Sequence, residues 1–327
     1  MTDLTHPGND LPQPDAQPSN PGWLRTKLQR LTRTRWGRFA VIALPLLWLA
    51  IFFFVPFMVV FKISLAETAI AIPPYTSLLE WDGEEGLLAL SLNLGNYLFL
   101  LEDSFYIDAW LSSIKIAGIS TFFTLLVAFP IAWLIARSHG SRRGLLLALV
   151  ILPFWTSFLL RVYAWMGFLK KNGIVNEFLL SIGAIDQPLT MLQTDFAVYL
   201  GIVYTYLPFM VLPLYTALEK LDMTLLEAAE DLGCRPIQSF FLITLPLAVP
   251  GIVAGCVLVF IPAVGEYVIP ALLGGSDTLM IGRVLWDEFF LNRDWPMASA
   301  VAIAMLIVIV LPVMFIRNGK GNGEAAS

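Results

Sequence analysis

From residue 39 to residue 61 the chain runs for 23 residues without one charged side chain, and runs of this kind recur along it. A helix needs about 20 mainly apolar residues to cross the hydrocarbon core of a bilayer. Inside that core every backbone N–H and C=O must be satisfied within the protein, so apolar runs of this length point to membrane-spanning helices. The further runs are 116–136, 145 to about 169 with Arg161 inside it, 196–218, one within 236–265 whose span is read as about 250 to 273, and 296–316. Six spans are expected, with no soluble domain of any size. Composition agrees: 57% of residues are hydrophobic and 14% are charged, against about 25% charged in a soluble domain. That is too little polar surface to cover a water-soluble particle of this size.

Basic residues orient such a bundle. Arg25, Lys27, Arg30, Arg33, Arg35 and Arg38 precede the first span, Arg137, Arg142 and Arg143 follow the second, Lys220 and Arg235 follow the fourth, and Arg317 and Lys320 follow the sixth. These are thirteen, against five on the opposite side: Lys62, Lys170, Lys171, Arg283 and Arg293. Both termini are therefore expected in the cytoplasm. Residues 1–22, rich in Pro, Asn, Asp and Gln, cannot bury apolar surface and read as a disordered tail. Residues 23–36 place Leu24, Leu28 and Leu31 on one face among Arg and Lys, with Trp at each end. This fits a basic amphipathic helix on an anionic leaflet, or a flexible basic linker. The organisation expected is a tail over 1–38, a membrane domain over 39–316 and a second tail over 317–327. Between spans one and two, residues 62–108 are too many for a turn, carry eight acidic residues, Asp108 included, and one basic one, and are expected to form short external helices.

Several function classes fall away. No Gly-x4-Gly-Lys-Ser/Thr loop for nucleotide is present. The two histidines, His6 and His139, lie outside the spans, so an intramembrane enzyme built on HExxH or a Ser/His pair is disfavoured. Cys234 and Cys256 are far apart in the predicted topology and form no metal cluster with histidine. No cofactor and no nucleic-acid partner is expected. Prolines stand in most spans, and each removes a backbone hydrogen bond. They suit a bundle that opens and closes, but proline is also common in membrane helices with no such role.

The loop over 219–250 is long and not simply polar. Thr224 and Glu227 have capping-box spacing, so a helix is expected to start at Thr224. Gly233 is a natural helix stop, and Pro236 suits the first turn of a second helix. Two short helices around a sharp bend result. They carry more apolar surface than a free loop needs, which calls for a protein partner to cover it.

These residues resemble a known family. Permeases of ABC importers share a cytoplasmic motif, EAA-x3-G-x9-I-x-LP, and this chain has Glu227, Ala228, Ala229, Gly233, Ile243, Leu245 and Pro246 at that spacing. The resemblance implies an all-α, six-span type I importer permease in a bacterial inner membrane, whose coupling helix docks on a separate ATPase subunit that binds the ATP. The segments VFKISLAE (60–67), AIPPYT (71–76), LPFWTSFLLRVYAWMG (152–167), NGIVN (172–176), FIPAVGEYVIPALLGG (260–275) and IGRVLWDEFFLNRDWP (281–296) are similar to polyamine-importer permeases, most of all those of putrescine type. The resemblance covers about 38 to 316. It implies a second, related permease, two ATPase subunits and a periplasmic polyamine-binding protein as partners. The alternatives are a permease for another small cationic or amino-acid-like solute, and a stand-alone channel or secondary carrier, against which the docking motif argues.

A small dication with an apolar middle needs carboxylate or carbonyl groups for its ends and aromatic faces for cation–π contact. Glu266, read as lying within span five, is the leading candidate, because an ionisable residue inside the membrane is a functional hypothesis by default. Tyr267 adjoins it, and Tyr204, Tyr206, Tyr163 and Trp165 are aromatic candidates. Each aromatic also has an ordinary reading in packing or an interfacial belt, and Glu266 has one as a structural partner of Arg161 or Lys115. Arg161 costs about 2.5–3.5 kcal/mol at the centre of a span unless paired or wet. A structural or interface role is expected for it, since like charge repels a polyamine.

Overall fold

The structure, a computed structural model, describes residues 35–82 and 87–321. The polar tail 1–22, nearly all of the basic segment 23–36 and the end of the 317–327 tail lie outside the described residues. The chain divides into two compact units, the first ending at Val59 and the second beginning at Val60. The helix Arg35–Leu49 continues through a wide π turn, Ala50–Phe54, into Val55–Ser64, whose residues from Val60 on belong to the second unit, and Val41–Ser64 is apolar and long enough to cross a bilayer. The wide turn has a local cause. Pro56 cannot donate to Phe52 and its ring crowds that carbonyl, and Val55 N–H donates five residues back, to Ala50. The helix thus passes its proline without breaking.

In the second unit, three long helices pack against one another: Ser104–Arg137, Asp195–Glu219 and Pro236–Val264. The first of these begins well before the expected residue 116. Asp103 accepts from Phe105 N–H at 2.9 Å and caps the helix, so the polar turn around Asp108 is helical too. Asp195–Glu219 and the coupling-loop helices match the expected spans closely. Two buried clusters fill the bundle. One, toward the Arg137 and Glu219 ends, joins Ala132, Ile135, Met210, Leu214, Leu218 and Val259. The other, toward the Ser104 and Asp195 ends, joins Ile116, Val162, Ile202, Val264, Ile269 and Ile281. At Gly251 the backbones approach so closely that a Cβ would stand 2.6 Å from Ala217 Cβ and 2.8 Å from the Pro213 carbonyl.

The structure corrects three expectations. The third apolar run is not one helix: Ser141–Trp155 and Phe158–Ser181 meet at 92°. Pro153 tightens the end of the first piece into a 3₁₀ turn, Leu152–Trp155, and Thr156 turns its hydroxyl onto the Pro153 carbonyl at 2.7 Å, which ends the helix before Phe158. The fifth span ends at Val264 rather than near 273, and a separate short helix, Val268–Leu273, follows. A continuous helix would need Pro270 to donate to the Glu266 carbonyl, which it cannot do. The 62–108 segment holds one short helix, Gly95–Glu102, but also an antiparallel hairpin, β1 (Leu79–Asp82) with β2 (Leu87–Leu90), in which Leu79 faces Leu90 and Asp82 faces Leu87. Leu-Glu-Trp-Asp alternates apolar and acidic residues, the period of a strand rather than a helix.

Among the described residues, four helices are by themselves long and apolar enough to cross a bilayer, and the bent pair makes a fifth if it counts as one span. The last helix runs Trp295–Gly321, and its shorter apolar stretch is Trp295–Val310.

Candidate functional site

The conspicuous loop folds as a helix, Thr224–Asp231, a turn, and a second helix, Pro236–Ser239, that runs through a π turn, Phe240–Thr244, into Leu245–Val264. The π turn again precedes a proline, Pro246, and Leu245 N–H donates to the Phe240 carbonyl. Thr224 is not the cap expected of it. Asp222 takes that part: its Oδ1 accepts from Thr224 N–H at 3.0 Å, and no side chain caps from the position before Thr224. A carboxylate two residues ahead of the donating N–H is an Asx turn, and an Asp at that spacing was the available signal. At the other end Gly233 N–H donates to the Glu230 carbonyl and Cys234 N–H to that of Ala229, each at 2.9 Å. This is the pairing of a Schellman C-cap. Gly233 has φ +82°, a left-handed backbone that side chains with a Cβ seldom adopt.

Of the motif residues, Ala229 is buried while Glu227 and Ala228 are exposed. Ile243 and Leu245 are half-buried on the neighbouring helix and Pro246 is exposed. Leu225, Leu232 and Ile237 form an exposed apolar rim around the bend, with Leu232 85% exposed. Sequence reasoning passed over the side chains that brace this loop. Arg143 pairs with Glu219. Arg137 stacks on Trp133, 4.2 Å from the ring centroid, and its Nη1 reaches the sulfur of Met223, the residue before the coupling helix. Arg137 ends the second span and Arg143 lies on the next helix, Ser141–Ile151, so side chains from both helices hold the loop.

The second cluster centres on Glu266. It lies in the break after the fifth span and is only 8% exposed. Tyr206 of the fourth span donates to its Oε2 at 2.5 Å. Its Oε1 accepts from Val268 N–H at 3.1 Å and from Ile269 N–H at 3.5 Å, so the carboxylate holds the start of the next short helix. Neither Arg161 nor Lys115 pairs with it among the described residues, whose two ion pairs are Arg143–Glu219 and Arg283–Asp287. The structural partnership considered for Glu266 is therefore with Tyr206 and backbone, not with a cation. Tyr267 stacks on Trp286, centroids 4.3 Å apart. Trp165 meets Tyr204 edge to face at 5.4 Å, and Tyr206 touches Phe209 at 6.0 Å. Tyr163 stands apart, 53% exposed on the outside of its helix. Glu266, Tyr206 and Tyr267 thus gather at one break, Tyr204 and Trp165 form a neighbouring pair, and Tyr163 joins neither.

Comparison with known proteins places this geometry. Residues 117–318 match the family model described as "Binding-protein-dependent transport system inner membrane component". The chain is 38% identical over 298 residues to the "Spermidine/putrescine transport system permease protein PotB" of Haemophilus influenzae, covering 91% of this chain and 96% of that one. To the protein of the same name from Escherichia coli it is 41% identical over 267 residues, covering 82% and 92%. Among solved structures, a chain of a bacterial ABC transporter involved in import of the acidic polysaccharide alginate superposes with TM-score 0.64 over 92% of this chain and 99% of that one, at 17% identity.

Proposed function

The chain belongs to the family of inner-membrane components of binding-protein-dependent transport systems, a multi-pass membrane family, and on that premise we propose that it is the permease subunit of an ABC importer that carries a polyamine, of putrescine type, into the cytoplasm. The relatives named above are spermidine/putrescine permeases, which supports the polyamine class. The single observation that carries the substrate reading is the carboxylate of Glu266. It is buried and bound to a tyrosine hydroxyl and two N–H groups, with no basic side chain to neutralise it among the described residues. A cationic solute supplies what the protein leaves out, and its attraction to a fixed carboxylate strengthens where water is excluded. Tyr206 and Tyr267 at the same break offer faces to an alkylammonium.

The coupling loop supplies the other half of the reading. A rigidly capped helix with an apolar rim suits docking to a partner ATPase, which binds the ATP and drives the cycle. A second permease, two ATPase subunits and a periplasmic polyamine-binding protein complete the proposed assembly. In this arrangement Glu227 and Ala228 face the ATPase, Ala229 seats the helix on the bundle, and Gly233 makes the turn. The whole complex, purified with its binding protein, tests this. Hydrolysis stimulated by putrescine or spermidine, and not by a neutral or anionic solute, is the expected result. Stimulation by an anion alone would remove the polyamine reading.

A further inference from the structure

Arg161 stands on the helix Phe158–Leu169, just beyond the 92° bend. Its guanidinium lies 5.4 Å from the ring centroid of Phe154 and 5.9 Å from that of Phe158. Among the described residues no acceptor reaches its buried Nε and Nη1. Its depth follows from packing. Phe154 meets Phe209 with centroids 5.1 Å apart, and Phe209 stands a little past the middle of Asp195–Glu219. In a bilayer centred on Asp195–Glu219 the cation lies near mid-depth, about 15 Å from either edge of a hydrocarbon core about 30 Å thick, out of reach of a lipid phosphate.

Its surroundings point the same way. Beside it the chain exposes Leu152, Leu159 and Leu160 together with Trp155, 89% exposed, and Tyr163. Tryptophan and tyrosine in contact with lipid gather at headgroup level. Next to a part-exposed arginine whose Nε and Nη1 have no acceptor among the described residues, they are instead the residue types that concentrate at the centre of protein interfaces. Acyl chains offer an arginine no acceptor, and a cationic solute is repelled by it, so whatever covers this face must bring negative charge. We propose that Trp155, Arg161 and Tyr163 are the centre of the contact with a second permease-type membrane chain, and that this chain supplies a carboxylate to Arg161 at mid-membrane depth. The proposal rests on the transporter reading for the existence of that second chain. It adds where the chain sits and what it must carry. Because Phe158–Leu169 also packs on Val268–Leu273, which starts at the Glu266 carboxylate, a partner seated there stands beside the candidate substrate site.

The test uses the full complex with an epitope-tagged second permease. A photo-crosslinking amino acid at Trp155 or Tyr163 is expected to give a product of the summed mass that carries the tag. Arg161→Leu is expected to lower the amount of second permease recovered with this chain tenfold or more, because the partner's carboxylate is left buried and unpaired, while Arg161→Lys retains most of it. In the isolated full-length chain in detergent, Arg161→Leu should leave the thermal midpoint unchanged or raise it, since it removes an unpaired cation. Crosslinks only to lipid or to a second copy of this chain, unchanged recovery in Arg161→Leu, or equal destabilisation of the isolated chain would each overturn the proposal. An active complex that contains no second permease would overturn the underlying transporter assembly as well.

Discussion

Glu266 and Gly233 show how single positions act in this protein. At Glu266 both carboxylate oxygens are in use, one by Tyr206 and one by the start of the next helix. Glu266→Gln keeps the shape and one acceptor oxygen and removes the charge. If the charge attracts substrate, the variant assembles, keeps basal ATP hydrolysis and loses polyamine uptake tenfold or more, as read by transport into proteoliposomes. A fully active variant would return the path to the aromatic pairs or to the partner. Gly233 is a backbone matter. Its φ of +82° costs a residue with a Cβ about 1–2 kcal/mol, and a β-branched one more. Gly233→Val is expected to stay in the membrane at normal abundance and to lose substrate-stimulated hydrolysis. Normal stimulation would remove the coupling role of the bend. Sequence alone marked Glu266, Tyr206 and Gly233 by residue type and place. It did not show that Tyr206, 60 residues away, donates to Glu266, because that bond depends on how the fourth and fifth spans are rotated against each other.

Among elements, the capped helix Thr224–Asp231 and the wide turns ahead of prolines deserve comparison. Both ends of the coupling helix are closed by bonds local to the chain, Asp222 at the front and the Gly233 and Cys234 N–H groups at the back. A helix of eight residues is marginal by itself, so its caps matter in proportion. Asp222→Ala is expected to cost about 1 kcal/mol of cap, roughly a fivefold shift toward the frayed form. It should reduce stimulated hydrolysis severalfold with basal hydrolysis unchanged, and Asp222→Asn or Ser should restore most of it. No change in Asp222→Ala would mean that the docked ATPase alone holds the helix. The prolines were legible as breaks in hydrogen bonding but not as to outcome. At Pro56 and Pro246 the helix continues through a π turn, whereas at Pro153 and Pro270 it bends or restarts. The difference lies in what accompanies the proline: the Thr156 hydroxyl, bonded to the Pro153 carbonyl, in one case, and in the other the Glu266 carboxylate, which takes up the freed N–H groups.

At the scale of the whole molecule, the count of thirteen basic residues against five predicts that both termini and the 219–250 loop face the cytoplasm. A single cysteine at Asp287, in a chain lacking Cys234 and Cys256, should then react with an impermeant thiol reagent from outside intact cells. Cysteines at Ser141 and Gln238 should not, and labelling at Ser141 would reverse the orientation. The membrane class, the apolar runs and the spacing of the residues in the 219–250 loop were all legible in the sequence itself. Each follows from short-range quantities: the length of an uncharged run, the spacing of capping residues, and the sign of charge at either end of a span. Tertiary structure alone decided that the third run folds back at 92°, that Glu266 sits in a break rather than within a span, and that the buried Nε and Nη1 of Arg161 have no acceptor among the described residues. Those outcomes depend on which distant side chains fill the space beside a helix, and no local pattern of residues encodes that.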